Sequence, residues 1–202
     1  MNHLALDVGG ANIKLADGRG MSRSVAFALW RQPERLGEVL AELLRDEPLD
    51  TRLTLTMTGE LADCFETKRQ GVRAIVAATI EAADKRGVRV FTTAGEFVRP
   101  DEAMENPLPA AAANWLALAT WAGRHAEAGL ALLLDVGSTT CDVIPLIDGR
   151  PMPIGRTDTD RLLAGELVYT GVQRSPVCAV VTTLPYRGRT CPVAQELFAT
   201  TG

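Results

Sequence analysis

The chain has 202 residues, 47% hydrophobic and 23% charged, with a formal net charge of −4 and a pI near 5.3. This is the composition of a globular protein with a real core, long enough for one large domain or two small ones. The acidic balance leaves no basic footprint for nucleic acid or an anionic membrane, and four scattered cysteines, Cys64, Cys141, Cys178 and Cys191, with only His3 and His125 to join them, give no zinc spacing.

At the start, MNHLALDVGG interrupts its apolar run with an acid after three residues. That fits neither a signal-peptide core nor a membrane span, so the expectation is a cytoplasmic protein with free thiols. His3 to Leu6 predicts a strand, and Asn12 to Ala16 a second one ending at Asp17-Gly18-Arg19-Gly20. Ser22 to Leu29 predicts a third strand. Leu36, Val39, Leu40, Leu43 and Leu44 then mark an amphipathic helix over 33–45, with Pro33 in its first turn.

Arg52 to Met57 predicts a strand, Thr67 to Arg86 a helix capped by Gly87, and Val88 to Thr92 another strand. Pro100, Pro107 and Pro109 make 97–109 read as a loop. A helix over 110–126 follows, with Trp115, Leu116, Leu118, Ala119 and Ala122 as core. Leu130 to Leu134 is continuously apolar, which predicts a strand buried on both faces. Val143 to Ile147 is its successor and turns at Asp148-Gly149-Arg150. Strands alternating with helices in this order predict a mixed sheet covered by helices.

The most informative feature is an internal repeat. LALDVGGANIKLADGR near the start is echoed by LLLDVGSTTCDVIPLIDGR, with Asp135 standing 128 positions after Asp7. Each copy is an apolar strand, a terminal Asp, Val-Gly, a run of small or hydroxyl residues, a second strand and a DGR turn. Two such hairpins facing one another would make a cleft.

Gly9, Gly10 and Gly137 let backbone N–H groups approach an anion, having no side chain in the way and a tolerant φ. Ser138, Thr139 and Thr140 add hydroxyl donors. Asn12 lies in the same turn as Gly9 and Gly10, and Lys14 could bring a positive charge. Asp7 and Asp135 would repel phosphate unless a cation intervened, and Mg²⁺ with several retained waters suits such oxygen ligands. Asp and Gly also simply form turns, an alternative that serves for one copy better than for two.

Asp7 to Lys14 and Asp135 to Asp142 resemble the two phosphate loops of the actin-like superfamily of sugar kinases, heat-shock chaperones and related ATPases. The resemblance implies an α/β, ribonuclease H-like fold of mixed sheets flanked by helices. It would comprise two related βββαβα lobes, taken as 1–128 and 129–202. More narrowly, DVGGANIK (7–14), LTMTGELADCF (55–65) with Lys68 and Gly71, AAANW (111–115), DVGSTTCDVIP (135–145) and TDTDRLLAGELVYTGVQRSPV (157–177) resemble the hydantoinase/oxoprolinase-like proteins of tetrahydromethanopterin-linked one-carbon metabolism. The likeness runs the length of the chain. Family members continue past the segment matching Gln195 to Thr200, so a short second lobe is expected, with exposed apolar surface that favours a homodimer.

The resemblance implies a transferase that condenses an aminomethylfuran diphosphate with the phenol of γ-glutamyltyramine, releasing diphosphate, in methanofuran-type cofactor biosynthesis. Its partners would be these small molecules, and its cofactor Mg²⁺ at Asp7 and Asp135. Asp7, Asp135 and Asp142 are the expected catalytic residues, with Glu60, Asp63, Lys68 and Arg174 at the substrates. The base for the phenol proton stays open among Glu60, Asp63, Asp142, Asp158 and Asp160. Each has a plainer role: Glu60 and Asp63 as caps of the next helix, Thr157 to Asp160 as the cap of a helix over 161–167, and Lys68 and Arg69 as a solvated face. Cys64 and Cys141 lack a nearby His to activate them as nucleophiles. An ATP-dependent kinase or ATPase, and a non-catalytic relative, are the other readings.

Overall fold

Alternating burial makes β1 (His3–Val8): Leu4, Leu6 and Val8 enter the core while His3, Ala5 and Asp7 take the other face. The structure is a computed structural model describing residues 2–195, so the stretch 196–200 of the matching segment lies outside the described residues. The chain divides into two compact units, Met1–Leu118 and Ala119–Gly202.

In the first unit β2 (Asn12–Ala16) buries Ile13 and Leu15, and β3 (Ser22–Ala26) completes an antiparallel meander. β3 stops short of the expected Leu29. The N–H groups of Phe27 and Leu29 donate instead to the carbonyls of Ala11 and Gly10, drawing both side chains into the core. A 3-10 turn, Pro33–Arg35, leads into α1 (Leu36–Leu44), which buries Leu36, Leu40 and Leu44. β4 (Arg52–Met57) runs parallel to β1 and is followed by α2 (Lys68–Ala83) and β5 (Val88–Phe91). This is the expected βββαβα order. The sheet reads β3-β2-β1-β4-β5-β6, with the short β6 (Phe97–Val98) antiparallel at its edge.

α2 ends before the expected Arg86 because Asp84 takes a positive φ of 54°, and Gly87, the expected cap, does not. Arg86 instead donates to the carbonyls of Leu44, Glu47, Pro48 and Ala83. The stretch expected as a loop holds β6, α3 (Pro100–Glu105) and a 3-10 turn at Leu108–Ala110. Pro100 starts α3, Asp101 and Glu102 occupy its first turn, and Arg99 pairs with both at 2.8 and 2.9 Å. Ala112, at a φ of 46°, breaks the expected 110–126 helix, leaving α4 (Asn114–Ala122) and a 3-10 turn at Gly123–His125. Trp115, Leu116 and Ala119 are buried as expected.

In the second unit β7 (Leu130–Val136) and β8 (Cys141–Ile147) form a hairpin, and β9 (Arg150–Pro151) and, after α5 (Asp158–Ala164), β10 (Leu167–Val168) both pair with the edge of β8 away from β7. The order β10-β8-β7 leaves β7 at the edge. The expectation of a strand buried on both faces is therefore overturned, since Leu130, Leu132 and Leu134 are 85%, 57% and 58% exposed. α5 begins before the expected Arg161, capped by Thr157, and stops at Gly165 in the left-handed conformation. α6 (Val177–Val180) precedes a separate hairpin of β11 (Thr183–Tyr186) and β12 (Arg189–Pro192). All four cysteines are free, and no described helix is long and apolar enough to cross a membrane.

Candidate functional site

The repeat proves to be one hairpin built twice. In the first copy Val8 stands opposite Ile13 and Asp7 opposite Lys14, and Gly9 N–H donates to Asn12 O at 2.9 Å. In the second, Val136 stands opposite Cys141 and Asp135 opposite Asp142, and Gly137 N–H donates to Thr140 O at 2.8 Å. Each loop thus has four residues between matching pairs. Contrary to expectation, Gly9, Gly10 and Gly137 do not use positive φ. Gly9 is needed for space, because a Cβ there would lie 3.0 Å from Asn12 O, whereas one on Gly10 would meet nothing within 4 Å.

The turn after β4 supports the first loop. Thr58 N–H donates to Val8 O at 3.0 Å, and a Cβ on Gly59 would lie 2.8 Å from the Leu29 side chain and 3.0 Å from Val8 O. Glu60 is 2% exposed, and α2 presses against it so closely that a Cβ on Gly71 would lie 2.6 Å from Glu60 Cα. Thr67, not Glu60 or Asp63, caps α2 by accepting from Gln70 N–H. Asp63 is exposed, and Lys68 is half-buried in the first turn of α2.

Asp7 Oδ2 lies 3.4 Å from Lys14 Nζ, while its Oδ1 is buried without a hydrogen-bond partner. Burial pushes the Asp7 carboxyl above its ordinary pKa, and Lys14 opposes the shift. Such an orphaned carboxylate oxygen fits a hard cation. Among the described residues no three His, Cys, Asp or Glu side chains gather around one point, so an ion at Asp7 would complete its shell largely with water.

The second loop is held differently. Ser138 O accepts from the N–H groups of Gln173 and Arg174, at 3.1 and 2.8 Å, and Gly137 O accepts from Val172 N–H. A Cβ on Gly171 would lie 2.4 Å from Thr139 N, so residues 171–174 lie directly on the loop. Ser175 Oγ secures this strap by accepting from Gly171 N–H at 2.7 Å. The backbone thereby brings Arg174 to the loop. Asp135 and Ser138 are exposed, and Thr139 and Thr140 are half-buried.

Asp142 Oδ1 lies 2.8 Å from Nη2 of Arg161, a side chain only 1% exposed. That nitrogen also donates to Glu166 O at 3.0 Å. Glu166, itself buried, accepts from Ile154 and Gly155 N–H through its two carboxylate oxygens. Burial pushes the Asp142 pKa up against the pull of Arg161, and Asp135 and Asp158 add to the rise. Asp160 is engaged at the start of α5 by the Thr157 hydroxyl at 2.7 Å.

Sequence reasoning missed Arg161 and Glu166. A signal for Arg161 existed: the second copy has Asp142 where the first has Lys14, so a cation had to come from elsewhere. Asp7, the first loop, Lys14, Glu60 and Lys68 share the first unit. Asp135, the second loop, Asp142 and Arg174 share the second.

The hydantoinase/oxoprolinase family pattern matches residues 52–183. A Methanocaldococcus jannaschii protein named (4-{4-[2-(gamma-L-glutamylamino)ethyl]phenoxymethyl}furan-2-yl)methanamine synthase is 35% identical over 201 residues, covering 98% of this chain and 59% of its own. A synthase of the same name from Methanococcus vannielii is 38% identical over 71 residues, 35% of this chain and 32% of its own. Among solved structures, an Aquifex aeolicus member of the Ppx/GppA protein family aligns at a TM-score of 0.41 and 11% identity, covering 75% of this chain and 49% of its own. The chain therefore spans 59% of the length of the Methanocaldococcus jannaschii relative.

Proposed function

The chain belongs to the hydantoinase/oxoprolinase family, and from that premise we propose that it is a transferase of methanofuran-type cofactor biosynthesis. In this reading the phenol oxygen of γ-glutamyltyramine attacks the furylmethyl carbon of an aminomethylfuran diphosphate. The new C–O ether bond forms as the bond from that carbon to the diphosphate oxygen breaks, diphosphate leaves with the electron pair, and the phenol proton passes to a base.

The observation that carries the reading is the 35% identity, over 201 residues, to a protein whose name describes a phenoxymethyl-furan product. The repeated hairpin supports it, because the main catalytic need is to stabilise departing diphosphate. Gly9, Gly10, Asn12 and Lys14 in one loop, and Gly137, Ser138, Thr139 and Thr140 in the other, are assigned to phosphate oxygens. Asp7 in the first unit is assigned as an oxygen ligand of Mg²⁺, directly or through water, and Asp135 carries the same assignment in the second. When bound, the ion neutralises charge that develops on the leaving group.

Asp142, held by Arg161, is assigned the phenol proton. Asp63, Lys68 and Arg174 are assigned to the polar ends of the substrates, with buried Glu60 acting from beneath the first loop. The free thiols support a reducing compartment such as the cytoplasm, and the bare face of β7 supports a homodimer.

The test is incubation of the protein with Mg²⁺, aminomethylfuran diphosphate and γ-glutamyltyramine without ATP, following the ether by mass spectrometry. Product that disappears in Asp7→Asn and Asp135→Asn supports the assignment. ADP formation when ATP is added, in place of ether, supports a kinase instead. Absence of ether from this chain and from a longer form alike sinks the transferase.

A further inference from the structure

β1 and β4 run parallel with Asp7 in register with Thr56, so the two side chains emerge side by side on one face of the first sheet. Neighbouring strands are about 4.8 Å apart. Each residue carries a buried oxygen without a hydrogen-bond partner, Oδ1 in Asp7 and Oγ1 in Thr56. The adjacent groups are already engaged. Asp7 Oδ2 faces Lys14 Nζ, and the Thr54 hydroxyl donates to Leu4 O at 3.5 Å.

A hydroxyl with no protein partner is an unfavourable thing to bury, and valine would fill the same volume on a strand without that cost. Two such oxygens at one register position point to a third group that meets both. An anion is repelled by Asp7, and an apolar group leaves both oxygens unsatisfied. A hard cation takes lone pairs from both, and a water bound to that cation donates to Asp7 and accepts from Thr56.

We infer that Thr56 is a positioning residue for a divalent cation at Asp7, its hydroxyl helping to fix the ion or a water on it. The inference rests on the assignment of a cation to Asp7 above and adds a residue to it. Thr56 then explains its own place in the strand. Met57 and Leu55 build the core from the opposite face, while the hydroxyl of Thr56 serves the end of β1 where the first loop begins.

The experiment titrates Mn²⁺ into the purified chain, following free Mn²⁺ by electron paramagnetic resonance, for wild type, Thr56→Val, Thr56→Ser and Asp7→Asn. Thermal melts of each are recorded in EDTA. Asp7→Asn should lose binding, Thr56→Val should bind about tenfold more weakly, and Thr56→Ser should stay near wild type. In EDTA, Thr56→Val should melt above wild type, because it removes an unpaired buried hydroxyl.

If Asp7→Asn loses the ion but Thr56→Val keeps full affinity, the Thr56 inference is wrong and the Asp7 assignment stands. If wild type binds no Mn²⁺, or Asp7→Asn binds as wild type does, the premise itself fails. A lower melting point in EDTA for both Thr56 variants would make the hydroxyl structural and overturn the inference.

Discussion

Nη2 of Arg161 stands 2.8 Å from Oδ1 of Asp142, so the second hairpin draws from α5 the positive charge that the first hairpin carries within its own strand as Lys14. The two pairs differ in worth. Lys14 is largely exposed at 3.4 Å from Asp7, and such a pair contributes at most about 1 kcal/mol. Arg161 is buried, and removing one partner of a buried pair costs about 3 kcal/mol.

Arg161→Met should therefore lower stability at pH 7 by about 3 kcal/mol in urea unfolding, and Lys14→Met by well under 1 kcal/mol. The sign with pH follows from Asp142. Its folded pKa is raised, so its favourable contribution is complete below the unfolded value and is lost as pH rises through the folded one. Without Arg161 that folded value rises further. The deficit of Arg161→Met should thus be largest near neutrality and shrink toward pH 4, and a deficit that grew on acidification would contradict this account.

Asp7 gives a second test, in which stability and function move in opposite directions. Burial raises its pKa despite Lys14, so only between the unfolded and folded values does the folded state keep a proton that the unfolded state has released. Its contribution is present below the unfolded value and lost as pH rises through the folded value, which leaves the ionised carboxylate destabilising at neutral pH. Asp7→Asn should accordingly melt higher than wild type at pH 7, with the difference fading on acidification. An equal or lower melting point at pH 7 would show that Asp7 is held by the fold rather than held against it.

The first unit was legible because its signals are local. Alternation gives β1, β2 and β4, and the helical spacing of Leu36, Leu40 and Leu44 gives α1. The repeat also located Asp7, Lys14 and both loops correctly on hairpins. What escaped depends on partners distant in sequence. An apolar run such as Leu130 to Leu134 is the same string whether a strand is covered on both faces or lies at an edge. Thr56 acquires meaning only when β4 lies in register with β1, and Arg161 only when α5 folds back on Asp142. The prolines misled for a different reason, since Pro100 forbids a helix interior yet favours a helix start.

Three glycines should respond to alanine in different ways. At Gly71 and Gly171 the new Cβ would lie 2.6 and 2.4 Å from backbone atoms of Glu60 and Thr139, respectively, so the chain must shift. Each substitution should cost about 1–3 kcal/mol in denaturant unfolding. Gly10→Ala meets nothing within 4 Å and should stay within about 0.5 kcal/mol of wild type. Loss of diphosphate release in Gly10→Ala at unchanged stability would then report on the approach of a ligand to the loop.

The faces of β7 can be separated by charge. Leu132 points to the bare side of an edge strand and is 57% exposed, whereas Leu133 points the other way and is half-buried. An exposed apolar edge invites pairing with another chain, which natural strands commonly discourage with lysine. Leu132→Lys should leave the melting point nearly unchanged and weaken concentration-dependent self-association in sedimentation velocity. Leu133→Lys should instead lower stability by about 1–3 kcal/mol, because its charge would enter a partly covered face. Were Leu132→Lys to destabilise the chain as much as Leu133→Lys, both faces of β7 would have to be covered, as the apolar run alone predicts.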